Sequence, residues 1–530
     1  MENGRNHGWR PTDQRPTHLP SKKTAAKVAG AVGITGALLL SEDYLTTQLH
    51  ANISSVASRI QGLVSPSSQP SIEASAFPKN RLFVPLLVNR ENADTRVFPP
   101  HILSKRQDST GKLETYNTKT GKKEDLIGNN YIKLAWVPGF HANFVDGIYN
   151  KAEALADLHK MAQDKYNFVR VFINDAQIGD SKGGLSESYM DNLADFIKMA
   201  RDNNIYVFLT INLPPVDGGY RIGVKPDDTI NVLFLTKGGD LAQEKYLTDL
   251  TTKLGEYGVT DNIIYSLINE AFFDKRALRD GSIVVFNGKS YGMPQDLNDL
   301  MADSLIDYIN RSAKAIRKID PTALIAFGSF NKDAVDYPDR FEVVATARVM
   351  REAKELDIYD AHMYYTKEIS PDEAFKREAA SFQETTIDKL VPFDVFAPNV
   401  LVQMNEFGIF VPGRTPLNID NTKDVAKALQ RWVIMADCYG IESRALWHWK
   451  DIDDPTGQYV DDIYTGIKDG DDTIEKALAP GNNLKCPPEN KPSSKVIFPQ
   501  GFESRNSAFL PESKKPEPWQ KNNYLSLSNA

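Results

Sequence analysis

NFVRVFI (residues 167–173), SYMDNLADFIKMARDN (188–203) and IYVFLTINL (205–213) follow one another along the chain. The first and last are short runs dense in β-branched and aromatic residues. The middle one repeats its apolar residues at three- and four-residue spacing, which lays them on one face of an α-helix. Two strands joined through an amphipathic helix read as a parallel βαβ unit. The alternation extends in both directions. YIKLAWV (131–137) lies upstream, and NIIYSLI (262–268), ALIAFG (323–328), LDIYDAHMYY (356–365), NVLVQMN (399–405) and RALWHW (444–449) lie downstream. DLMADSLIDYINRSAKAIRKI and DVAKALQRWVIMADCYG supply further amphipathic helices. Eight such strands over roughly 340 residues predict an α/β fold of the (β/α)8 TIM-barrel type. An open doubly wound sheet is the alternative. Against it, the first strand is followed by VPGFHANF, not by the Gly-x-Gly-x-x-Gly turn that cradles phosphates.

The flanks differ in composition from this centre. Residues 1–27 form a basic tail, and 28–41 an uncharged hydrophobic run (VAGAVGITGALLLS) followed by Glu42 and Asp43. Positive charge ahead of an apolar run orients a signal or anchor with the remainder of the chain outside. The run has the length of a signal-peptide core, yet no small-x-small cleavage site follows closely. A cleaved signal, an uncleaved membrane tether through 28–41 and an amphipathic helix of a cytosolic protein all remain open. A secreted or membrane-anchored protein with its main domain outside the cytoplasm is the expectation. Residues 42–80 are Ser/Pro-rich linker, and 81–128 hold a pre-barrel strand (RLFVPLLV) and a hairpin (112–126) turning near Thr118–Gly121. The barrel takes 129–484 and a Pro/Lys/Asn-rich tail takes 485–530.

Composition narrows the function. With 41% hydrophobic and 25% charged residues the chain is an ordinary globular one. A net charge of −8, without a basic stripe interleaved with aromatics, argues against nucleic acid as a partner. Two cysteines, Cys438 and Cys486, cannot build a disulfide framework or a Cys-based zinc site, and Cys438 reads as a small core residue in a helix. No HExxH, Walker loop or Gly-x-Ser-x-Gly elbow is present. DIDDPTGQYVDD (451–462) is acidic, but its Gly and Pro are misplaced for a calcium loop.

Polar residues that end barrel strands converge on the C-terminal rim, where this fold keeps its active sites. The ends read here give Arg170, Asn212, Asn269 and Glu270, His362 and Tyr364, Asn405 and Glu406, and Trp447 and Trp449. Each also has a structural reading: Arg170 as an ion-pair partner, His362 as a satisfied core histidine, the tryptophans as packing. Two glutamates facing each other across a rim suit retaining glycoside hydrolysis, in which one acid protonates the leaving oxygen and the other carboxylate attacks the sugar. Trp447, Trp449, Trp136 and Tyr365 would then offer faces to sugar rings.

VRVF, SLINEAFF, AHMYY, NEFGIF and ALWHWKD together resemble the (β/α)8 retaining glycosidases, most closely glycoside hydrolase family 5, over about Tyr131 to Gly470. The resemblance implies Glu270 as acid/base, Asn269 as the contact to the neighbouring hydroxyl, and Glu406 as nucleophile. It further implies Arg170 and Tyr364 as hydrogen-bonding partners of Glu406, with His362 on the same wall. Trp447 or Trp449 would be the sugar platform; strand parity puts both on one side, with Trp449 favoured. The family's usual histidine near the end of strand three is replaced by Asn212, and its usual proline after Asn-Glu by Ala271. Substrate would be a β-linked glycan or glycoconjugate, without cofactor or metal. A catalytically inactive glycan-binding barrel is the competing reading; a metal-dependent hydrolase lacks the His/Asp clusters it needs.

Overall fold

The computed structural model describes residues 100–135, 137–139, 141–221, 231–274, 278–330, 340–342, 346–366, 369–410, 422–449 and 472–492. The basic tail, the hydrophobic run 28–41, the linker, RLFVPLLV and the acidic stretch 451–462 lie outside the described residues. Among the described residues no helix is long and apolar enough to cross a membrane.

A short antiparallel ladder, β1 (Leu103–Gln107) with β2 (Leu113–Asn117), precedes the barrel. The turn expected near Thr118–Gly121 is present and closes an isolated Tyr116–Lys123 bridge. The longer ladder, however, runs from β2 back to β1.

The barrel is closed and parallel. Its strands are β3 (Ile127–Asn130), β4 (Phe168–Phe172), β5 (Tyr206–Thr210), β6 (Ile263–Ser266), β10 (Leu324–Phe330), β12 (Ile358–Thr366), β13 (Leu401–Phe410) and β14 (Arg444–Leu446), which pairs again with β3. Helices α1 (Lys151–Gln163), α2 (Glu187–Asp202), α3 (Lys237–Glu256), α4 (Leu297–Arg317), α5 (Thr346–Glu352), α6 (Pro371–Phe382), α7 (Thr422–Cys438) and α8 (Thr473–Leu478) accompany it. Two small ribbons decorate the sequence after β6. β7 (Phe272–Asp274) pairs with β11 (Arg340–Glu342), and β8 (Ile283–Phe286) pairs with β9 (Lys289–Gly292).

The first barrel strand differs from the expectation. It is IGNN at 127–130, not YIKLAWV at 131–137. Only one of its four residues is a large apolar one, so composition hides it. A Cβ on Gly128 would sit 1.8 Å from the carbonyl oxygen of Phe168, so the close approach of β3 to β4 requires glycine there.

Leu103, Leu126, Phe168, Tyr206, Phe208, Ile264, Leu324, Ala326, Ile358 and Ala445 form one buried cluster, set by inward-facing alternate positions of the strands. Leu103 on β1 joins it. Beside it, buried His101 Nε2 lies 2.7 Å from Asp320 Oδ2, which also accepts from the Tyr265 hydroxyl at 3.3 Å. A second, larger core lies between strands and helices.

The reading of Cys438 needs correction. It is buried, at the end of α7, but bonded to Cys486, with Cα atoms 4.8 Å apart. The partners are separated by 48 positions, and only the return of the chain after α8 brings them together. Lys485 adds ion pairs to Asp125 (2.9 Å) and Asp437 (3.1 Å). The first residues of the segment assigned to the tail are therefore fixed to the barrel. Cross-linking a loop of this length restricts the unfolded chain, so Cys486→Ser should lower stability by about 2–4 kcal/mol in chemical denaturation. An unchanged midpoint would show that the bridge constrains nothing.

Candidate active site

The site grows from a cation placed inside the barrel. Arg170 is the central residue of β4 and fully buried. A buried guanidinium needs paired charge and filled hydrogen bonds. Its Nη1 donates to Glu406 Oε2 (2.6 Å) and to Asn130 Oδ1 (2.9 Å), and its Nη2 donates to Asn269 Oδ1 (2.5 Å). The Phe172 ring lies 4.5 Å from its Cζ. Four segments of the rim thus meet on one side chain.

Glu406 is aimed inward by an irregularity in β13. Asp360 of β12 pairs with Gln403, but His362, two residues on, pairs with Glu406, three residues on. The extra residue is a β-bulge, a device that re-aims side chains beside active sites. Met404 and Phe407 both face the outer core on either side of it. Glu406 is 4% exposed; the Tyr364 hydroxyl donates to its Oε1 at 2.6 Å. Burial and the Glu406 charge raise the Tyr364 pKa well above the usual phenol range, so this donor keeps its proton.

Glu270 follows β6 at the lip of the site, with its side chain 27% exposed. Its Oε1 lies 2.7 Å from His362 Nδ1. Burial first, and then the Glu406 charge, raise its pKa above the ordinary glutamate range, against the pull of His362 and Arg170. A carboxylate oxygen of Glu270, one of Glu406 and a ring nitrogen of His362 lie within 4.8 Å of one another. A cation could span such a set, but His362 fills it with a charge of its own. Burial opposes the imidazolium, yet the Glu406 and Asp360 carboxylates and hydrogen bonds to Asp360 and Glu270 outweigh it, holding the pKa at about 10.

The remaining expected residues separate into two groups. Asn212 accepts the Asn269 N–H at 3.2 Å and donates to the Ile173 carbonyl at 3.3 Å, with φ +61. It fixes the backbone on which Asn269 and Glu270 stand. Trp447 joins Phe172 and Tyr364 in a small cluster at the site, edge-on to Phe172 at 5.9 Å. Trp449 does not. It packs edge-on against Tyr166 at 6.2 Å within the outer core, so the preference for it is corrected. β14 ends at Leu446, and two-residue alternation does not carry past a strand end. Tyr365 likewise faces the outer core, against Trp432. Trp136 lies outside the described residues.

Four contributors were not anticipated. Asn130, one residue ahead of the 131–137 run, also donates to the Asn405 carbonyl (2.9 Å) and the Leu446 carbonyl (3.1 Å). Phe172 is the ring between Arg170 and Trp447. His141 stacks on Phe172 with centroids 4.7 Å apart, and burial, aided by Arg170, depresses its pKa to about 4. Asp360 is fully buried behind His362, and its place two residues before His362 on the same strand face is a signal that period-two counting contains.

Two glutamates converging on the C-terminal rim of a closed parallel barrel, over one buried arginine, define a glycosidase of the (β/α)8 class. The sequence supplies the family. A profile of the cellulase family, glycosyl hydrolase family 5, matches residues 129–451, and the chain belongs to that family. No curated protein sequence matches the chain. Solved structures resemble its fold at low identity. An exo-β-1,4-mannosidase from Opitutaceae bacterium strain TAV5 is 16% identical, with 70% of this chain and 61% of that one covered and a TM-score of 0.47. An endo-1,4-β-mannanase from Rhizomucor miehei is 13% identical (71% and 97% covered, TM-score 0.46), and one from Thermotoga petrophila 16% identical (69% and 79%, TM-score 0.45).

The separation of the two tryptophans is testable by steady-state kinetics beside unfolding curves. Trp447→Ala should lower kcat/KM at least tenfold with the fold intact. Trp449→Ala should instead cost about 3–5 kcal/mol of stability, as buried tryptophans do. The opposite pattern would return Trp449 to the site.

Proposed function

We propose that this glycosidase cleaves a β-linked glycan or glycoconjugate with retention of configuration, by double displacement. The approach of the two carboxylates to within 4.8 Å carries the reading. Retaining enzymes hold their carboxyl groups about 5–5.5 Å apart, whereas inverting enzymes leave about 6.5–9.5 Å for a water molecule.

The surroundings of the two groups divide the labour. Glu406, deep in the site and held by Arg170 and Tyr364, is the nucleophile: the donors keep a carboxylate aimed and ready. Glu270, at the lip with a raised pKa, is the acid/base. In the first step a Glu406 oxygen bonds to the anomeric carbon while the bond to the leaving oxygen breaks and that oxygen takes the Glu270 proton. In the second, Glu270 takes a proton from water, the water oxygen bonds to the anomeric carbon, and the ester to Glu406 breaks. Trp447 and Phe172 provide the apolar side of the sugar subsite, and Asn269, held by Arg170, reaches the hydroxyl beside the reacting carbon.

Export is part of the proposal. The Cys438–Cys486 bond suits an oxidising compartment, as does a basic tail ahead of residues 28–41. Thiol labelling of the chain in its cells should find both cysteines blocked; free thiols on a cytosolic protein would refute export.

Glu406→Ala and Glu270→Ala should each lower kcat by several orders of magnitude with the fold retained. A 2-fluoro-glycoside should label Glu406 covalently, and azide should rescue Glu270→Ala with an activated aryl glycoside. Activity should fall on the alkaline side as Glu270 loses its proton, at a pH above the ordinary glutamate range. Product of inverted configuration by NMR would rule out the double displacement.

A further inference from the structure

His362 and Arg170 meet inside the barrel in a way that needs an anion. His362 Nε2 and Arg170 Nη2 are 3.2 Å apart, and neither side chain reaches solvent. Asp360 Oδ2 lies 3.3 Å from that same imidazole nitrogen and 3.5 Å from Arg170 Nε. Its other oxygen, Oδ1, accepts the backbone N–H of Asn405 at 3.0 Å, one residue before Glu406 and inside the bulge that turns Glu406 inward. One fully buried carboxylate therefore touches β4, β12 and β13, the three strands that carry Arg170, His362 and Glu406.

We propose that Asp360 is a positioning residue of the hydrolysis: it keeps His362 an imidazolium beside Arg170, and so fixes how many protons the two glutamates share. Among the described residues, the charged and titratable groups facing His362 include Glu270 after β6, Asp360 and Tyr364 on β12, Glu406 on β13 and Arg170 on β4. With Tyr364 neutral, the two cations balance Asp360 and one further carboxylate. Before substrate reacts that carboxylate is Glu406, and Glu270 holds its proton. Once Glu406 is esterified it carries no charge, and Glu270, having given its proton to the leaving oxygen, is the carboxylate. The buried centre is neutral at both stages. Without Asp360, two buried cations would face a single carboxylate. The rival arrangement is a neutral His362 accepting from Arg170; it leaves two buried carboxylates on one cation, which the low-dielectric interior disfavours. The depressed pKa of Asp360 agrees: burial works against its charge, but His362 and Arg170 outweigh burial.

The inference rests on the double-displacement reading, and the two fail differently. Absence of a fluoro-sugar label on Glu406 in the unaltered protein would end the mechanism itself. Asp360→Asn, made in the full chain, tests the positioning role through the pH profile of kcat/KM. Removing an anion favours the first loss of a proton from the Glu270–His362 pair, whichever member gives it up. The alkaline limb should therefore move down by one pH unit or more, a tenfold or greater loss at a pH on that limb beyond any uniform loss. A profile of unchanged shape, in a variant that still labels at Glu406, would overturn the role. If Asp360→Asn fails to fold, histidine-15N NMR of the unaltered protein decides, with the His362 signal assigned by its absence in His362→Gln. His362 should remain an imidazolium at pH 8; a neutral ring at pH 7 would overturn the proposal.

Discussion

Everything at the rim depends on burying one guanidinium in a barrel wall. Arg170 is fully buried, so each N–H directed into the site must find an acceptor from another segment of the chain. Glu406, Asn130 and Asn269 are those acceptors, and each also belongs to a segment with a separate role. A side chain held by three segments cannot tilt without breaking bonds to all of them. That rigidity is what a site must have when reacting groups need placement to a fraction of an ångström.

The support extends beneath the glutamates as a polar layer in an otherwise apolar barrel. Asp360, Gln403, Asn405 and Asn130 sit between the lower cluster around Phe168 and Phe208 and the two glutamates above. Asn405 ties the layer together, accepting from Asn130 and donating to Asp360 and Gln403, and these bonds fix its geometry. The glutamates then differ in depth and in partners: one is deep and held by Arg170 and Tyr364, the other at the lip beside His362. Burial, and then the Glu406 charge, raise the Glu270 pKa above the ordinary glutamate range.

Much of this was legible in the chain. Seven of the barrel strands lie where β-rich runs predict them, because a strand covered by helices on one face and core on the other must be apolar nearly throughout. Arg170, Asn269, Glu270, His362, Tyr364 and Glu406 were each readable as strand ends, and the structure brings all six together. The first strand was not legible, since IGNN owes its place to a close glycine contact and to hydrogen bonds made by Asn130. The choice between Trp447 and Trp449 was not either, because both lie past Leu446, the last strand residue, where two-residue alternation no longer holds.

Sequence by itself determined the period of the elements, and with it a parallel barrel and the rim to which polar strand ends must come. Periodicity is a local property, so local residues suffice to state it. Only the tertiary structure decided which way Glu406 points, that Cys438 meets Cys486, and that Asp360 stands between Arg170 and His362. Each depends on a partner far along the chain: a bulge exists only against the register of a neighbouring strand, and a buried charge has meaning only beside the charges packed around it.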